Sequence, residues 1–144
     1  LSPLMVKGLS ATVGYTMLMD TNDAATENGF GIDARARYAV NNKLSITEQF
    51  NFTKLTDSEK VSIWNAFNVL YKFSDAFWGV VNFQFDGDKA KDADMQSVMY
   101  ITPACVIVAG DGCQLTGGVQ VELNKNKNSD KMDLAIPLIM RVKF

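Results

Sequence analysis

Alternation of apolar and polar residues at a period of two, repeated in segment after segment, constrains this chain more than any other feature. It is plainest in the last stretch, Leu134 to Phe144. From Ile136 onward, Ile136, Leu138, Met140, Val142 and Phe144 fall on one face, and Pro137, Ile139, Arg141 and Lys143 on the other. Successive side chains of a strand point to opposite faces, so the pattern predicts a strand between two different environments.

The same pattern recurs upstream. Within residues 5–19, Leu9, Ala11, Val13, Tyr15 and Met17 oppose Gly8, Ser10, Thr12, Gly14 and Thr16. Within 30–40, Ile32, Ala34, Ala36, Tyr38 and Val40 oppose Asp33, Arg35 and Arg37. Residues 43–55 set Leu44, Ile46, Phe50 and Phe52 against Ser45, Thr47, Gln49, Asn51 and Thr53. Residues 60–73, 76–85 and 113–124 alternate likewise, whereas 95–109 is apolar on both faces and its orientation stays open. With the terminal segment this predicts about eight strands joined by turns and loops, and no helix. The connections after strands one, five and seven are long and polar, and Asn41-Asn42, Ser74-Asp75 and Gly110-Asp111-Gly112 are short turns. The connection at 56–59 fits this alternation least well, and a two-residue turn at Thr56-Asp57 would set Glu48 directly opposite Asn65.

Composition narrows the function classes. A chain of 144 residues, 47% hydrophobic, is one domain's worth, yet no run approaches the length of a transmembrane helix. A net charge of -2 gives no basic footprint for nucleic acid. Histidine is absent, which excludes Ser-His-Asp and Cys-His catalysis and imidazole-based zinc sites. We expect no enzyme activity and no cofactor or metal. Asp86, Asp88, Asp92 and Asp94 read as a solvated loop, with intervening lysines and no EF-hand spacing. A tight turn at Gly110–Gly112 would put Ala109 opposite Cys113 and leave Cys105 beyond disulfide reach, so both cysteines read as small apolar strand residues; a wider loop would allow a bridge. With no Met at position 1 and no signal sequence, the chain reads as mature or trimmed.

Periodicity alone does not say which face is inside. The polar face is rich in Ser, Thr, Asn, Gln and Gly rather than the Lys and Glu of a water-washed strand, and large aromatics (Tyr71, Phe73, Phe77, Phe83, Phe85, Phe144) sit mostly near strand ends on the apolar face. With its terminal strand ending on Phe144, the chain resembles the small eight-stranded bacterial outer-membrane β-barrels of the OmpA, OmpX and OmpW type. The resemblance implies an all-β, antiparallel up-and-down transmembrane barrel with short periplasmic turns and longer outer loops. It also implies an outer-membrane location, membrane lipid and the outer-membrane assembly machinery as partners, and Ile136, Leu138, Met140, Val142 and Phe144 as the assembly signal.

Within such a barrel Asp33, Arg35, Arg37, Glu122, Asp133, Arg141 and Lys143 form a lumen charge network, with Arg35, Arg37, Arg141 and Lys143 toward the periplasmic end. Asp33 and Glu122 need basic or hydrogen-bonding partners. Glu48 and Asn65 break the pattern by falling on the apolar face. A β-bulge or altered register would turn them inward; otherwise they form a lateral contact with another envelope protein or another copy of the chain. Pro103 and Pro137 lie inside strands, where bulges are expected. The expected function is a structural or surface-interaction role through the outer loops. The alternatives are a small channel for ions or solutes, a soluble lipid-binding calyx, or part of a larger outer-membrane barrel, the last marked by failure of the first strand to pair with the last.

Overall fold

A computed structural model describes residues 7–19, 28–110, 113–124 and 133–142. They form one antiparallel up-and-down sheet and no helix. Its strands are β1 (Leu9–Leu18), β2 (Gly29–Ala39), β3 (Leu44–Leu55), β4 (Val61–Lys72), β5 (Phe77–Lys89), β6 (Gln96–Ala109), β7 (Cys113–Gly118), β8 (Gln120–Glu122), β9 (Leu134–Ala135) and β10 (Leu138–Val142). Each strand pairs with the next in sequence up to β7, which then pairs with β10, while β8 pairs with β6 and β9.

Ten strands stand where eight were expected, and two prolines are the cause. Ala104↔Gly118 and Tyr100↔Glu122 share one register, so β7 and β8 are one interrupted run along β6. Leu138↔Gly117 and Ala135↔Gln120 likewise make β9 and β10 one run. The Val119 N–H donates to the Pro103 carbonyl at 3.0 Å and the Gly118 N–H to the Pro137 carbonyl at 3.2 Å, but neither proline has an N–H to return. The ladder therefore breaks from both sides at Gly118–Val119. The bulges expected at Pro103 and Pro137 are absent; with no residue inserted, the chain loses hydrogen bonds and keeps its register.

Among the described residues the sheet is not closed. There β1 pairs only with β2, and β10, five residues long, only with β7. The strand expected to close the barrel is interrupted at Ile136-Pro137, which shortens its continuous row of pairing groups. Residues Lys143 and Phe144 lie outside the described residues, so their places in the charge network and assembly signal are not shown.

The short turns behave as their residues dictate. Asn41 Oδ1 accepts the N–H groups of Lys43 and Leu44, both at 2.8 Å, closing the β2–β3 turn. Ser74 Oγ accepts the Phe77 N–H at 3.1 Å and closes β4–β5. The β3–β4 connection is wider than a two-residue turn: the Leu55 N–H reaches the Lys60 carbonyl at 2.8 Å, with Glu59 left-handed at φ 52°. Strand β5 runs to Lys89, paired with Val61, so Asp86 and Asp88 belong to a strand and not to the loop expected there. Both cysteines are free: Ala109 faces Cys113, and Cys105 faces Gly117.

Candidate functional site

The pairing registers fix which side chains share a face across the whole sheet. Arg35, Gln49, Ala66, Gln84, Tyr100 and Glu122 lie on one rung from β2 to β8. The neighbouring rung carries Arg37, Thr47, Asn68, Asn82 and Thr102. This polar face therefore holds Asp33, Arg35, Arg37, Glu122 and Arg141 together, with Asp133 beside Glu122. Strand β6, whose orientation the sequence left open, puts Tyr100, Thr102, Ala104 and Val106 here. This face holds a half-open cavity of about 420 Å³ lined by Asn68, Asn82, Thr102, Gln120, Trp78 and Arg141 among others.

Hydrogen bonds donated by side-chain amides organise much of the polar face. Asn82 Nδ2 donates to Asn68 Oδ1 at 2.8 Å, and Gln84 Nε2 to Asp86 Oδ2 at 2.8 Å. Asn51 Nδ2 donates to Asp33 Oδ1 at 2.5 Å, the hydrogen-bonding partner expected for that acid. Among the described residues, however, the charges do not form an ion-paired network. The one salt bridge among the described residues joins Lys91 and Glu59 in the loops, at 3.0 Å. Arg35 and Glu122 share a rung but are five strand spacings apart, roughly 24 Å along the sheet. Asp33, Arg35, Arg37, Asp133 and Arg141 are exposed on the open sheet and need no ion pair. Acids gather toward the end bearing the 56–60 and 90–95 connections. Arg141 lies at the short-turn end, as does Lys72, whose ammonium sits 4.8 Å from the Trp78 ring centre.

Glu122 is the exception, at 2% exposure. Its Oε2 accepts the Asp133 N–H at 3.1 Å, while Oε1 is buried and has no hydrogen-bond partner among the described residues. An unsatisfied buried oxygen costs about 1–3 kcal/mol. Glu122→Gln removes the charge and keeps an acceptor for Asp133, so it should raise stability by about 1 kcal/mol in urea unfolding. Unchanged or lower stability would show that Oε1 is satisfied in the folded protein.

Sequence reasoning did not find Gln84, Asp86 or Tyr100 as members of this site. The first pairs with Tyr100 across β5–β6 and the second lies one rung away, and only that pairing orients a strand apolar on both sides.

The opposite face is apolar. Every exposed large apolar side chain within a strand lies on it except Leu18 and Ile139. Tyr71, Phe73 and Phe77 cluster at the short-turn end, with ring centres 5.1 and 5.5 Å apart. Tyr15, Phe30 and Phe52 cluster toward the other end, at 6.4 and 5.9 Å. Glu48 and Asn65 remain on this face, because β3–β4 pairing is unbroken from Leu44↔Tyr71 to Lys54↔Val61. No bulge turns them inward. They meet diagonally rather than directly: Glu48 faces Phe67, Asn65 faces Phe50, and Asn65 Nδ2 donates to Glu48 Oε1.

Among the described residues no three His, Cys, Asp or Glu groups are placed to hold a metal ion. A scan against protein-family models, a search of curated proteins and a search of solved structures each found no match.

Proposed function

We propose that this chain is an integral β-barrel protein of the bacterial outer membrane, with a structural or surface-interaction role carried by the loops opposite the short turns. One observation carries the reading: an outward sheet face that is apolar or aromatic from end to end, broken only by Lys54, Lys89 and Ser97 near strand ends and by Glu48 and Asn65. In water such a face would far exceed the largest apolar patch of an ordinary monomer, roughly 300–600 Å². In a bilayer it is the required surface, and the two aromatic clusters fall where interfacial girdles belong. Hydrocarbon tolerates no unpaired strand edge, so in the barrel β1 and β10 must find partners. In the first reading they pair with each other.

The open edges favour a second reading, in which further strands extend the sheet on either side and this unit is part of a larger barrel. Electrophoresis in SDS of detergent-folded protein, unheated against boiled, tests both. A heat-dependent shift is the expected result, because a closed barrel has no edge at which to unravel. Protein that inserts into vesicles yet never resists SDS fits the larger barrel. Protein that dissolves without detergent and shows no shift overturns the membrane reading.

A further inference from the structure

We propose that the outward pair Glu48–Asn65 is a docking site, within the membrane, for a segment of another membrane protein that carries a lysine or arginine at matching depth. The inference rests on the membrane reading above and adds a partner to it. Glu48 and Asn65 are each the fifth residue of a twelve-residue strand, far from the outward Lys54 and Lys89 near the strand ends. Ionisable groups at such depth are costly and are kept where they meet a partner.

Hydrogen-bond arithmetic selects the partner's chemistry. The Asn65 amide spends its donors inside the chain, on Glu48 Oε1 and on the Gln49 carbonyl at 3.3 Å. Glu48 Oε2 and Asn65 Oδ1 accept no hydrogen bond from the described residues. With Glu48 ionised, the site presents two acceptors, one negative charge and no spare donor. Its complement is a cation with several N–H groups. Among the described residues a second copy of this chain does not supply one, since its outward strand lysines, Lys54 and Lys89, share a rung roughly 20 Å along the strand from the level of Glu48. Lipid head groups lie at the strand ends, at the wrong depth. Ala36 directly opposite Glu48, and Ala34 opposite Phe50, leave shallow surface beside the pair where another backbone can approach closely.

The test uses the full chain folded into phosphatidylcholine vesicles with a dansyl-labelled transmembrane helix of leucines bearing one central arginine. Energy transfer from the protein's tryptophans reports association. The arginine peptide should associate with the wild-type protein about tenfold more tightly than an all-leucine peptide, and Glu48→Gln should abolish that preference. Equal association of both peptides, or a preference that survives Glu48→Gln, overturns the proposal. So does self-association of the wild-type chain that Glu48→Gln removes, because the occupant would then be a second copy. Should Glu48→Gln fold poorly, a central aspartate peptide tests the unaltered protein, and it should associate no better than the leucine peptide. A chain that does not insert into the vesicles at all would refute the membrane reading itself, a result distinct from insertion without peptide preference.

Discussion

Ile101→Arg is expected to cost about 2–4 kcal/mol of folding stability in a bilayer, whereas Thr102→Arg, one residue along, should cost less than about 1 kcal/mol. Ile101 is near the middle of β6, between Phe83 and Val121 on the outward face. In a bilayer an arginine there would have only hydrocarbon, apolar side chains or a long reach to the interface as its surroundings. Thr102 points the other way, into the cavity beside Asn82 and Gln120, where a guanidinium meets carboxamide oxygens and room for water. Urea titration of the protein folded in vesicles, followed by tryptophan fluorescence, gives both numbers. If the apolar face met water instead, Ile101→Arg would be nearly neutral and would improve solubility. Equal costs at both positions would mean that the two faces see the same environment.

Much of the sheet was legible because alternation encodes faces directly. The polar assignment of Asp33, Arg35, Arg37, Glu122 and Arg141 follows from strand periodicity alone, and the registers place them together. Register itself was less legible. A two-residue turn at Thr56-Asp57 would pair Glu48 with Asn65, but Asp57 Oδ2 accepts the Asn28 N–H at 3.0 Å and Thr56 donates its N–H to the Asn28 carbonyl at 2.7 Å. Those contacts with the start of β2 hold a wider turn and shift the pairing by two residues. Strand β6 hid its orientation because residues near Val106 are apolar on both faces, and Val106 is only 6% exposed. The end of β5 hid because Asp86 and Asp88 look like loop residues, although a polar face accepts carboxylates within a strand.

The open edges and the placement of charge belong to one physical problem. A rung that runs from Arg35 to Glu122 separates opposite charges by neutral groups, so folding the sheet shut changes what each charge faces. On the open sheet Asp33, Arg35 and Arg37 are bathed by solvent and cost little unpaired. Inside a closed interior, which eight strands leave only wide enough for side chains, the same groups would have to pair across the seam or keep ordered water. Closure and lumen electrostatics are therefore coupled, and a pattern of single-residue faces does not encode that coupling.

Gly118→Ala should destabilise the protein by about 1–3 kcal/mol, while Gly117→Ala should stay within about 0.5 kcal/mol of the original. The two glycines are adjacent, on opposite faces of β7. A Cβ on Gly118 would stand 2.7 Å from the Pro103 carbonyl oxygen and 2.8 Å from the Ala104 Cβ, so backbone would have to move. A Cβ on Gly117 would meet only Leu138 Cδ1, at 3.7 Å, an ordinary contact. Gly118 is also where the ladder is weakest, with Pro137 across one edge and Pro103 opposite the next residue. Its N–H bond to Pro137 and the Val119 N–H bond to Pro103 are the backbone hydrogen bonds that join the strands at this break. Pushing β6 away from β7 to admit a methyl group strains the Val119–Pro103 bond, and no proline N–H is present to compensate. Parallel urea titrations of the two variants measure the difference. Equal costs would show that the close approach relaxes freely, and that the proline break is a flexible joint rather than a tightly packed one.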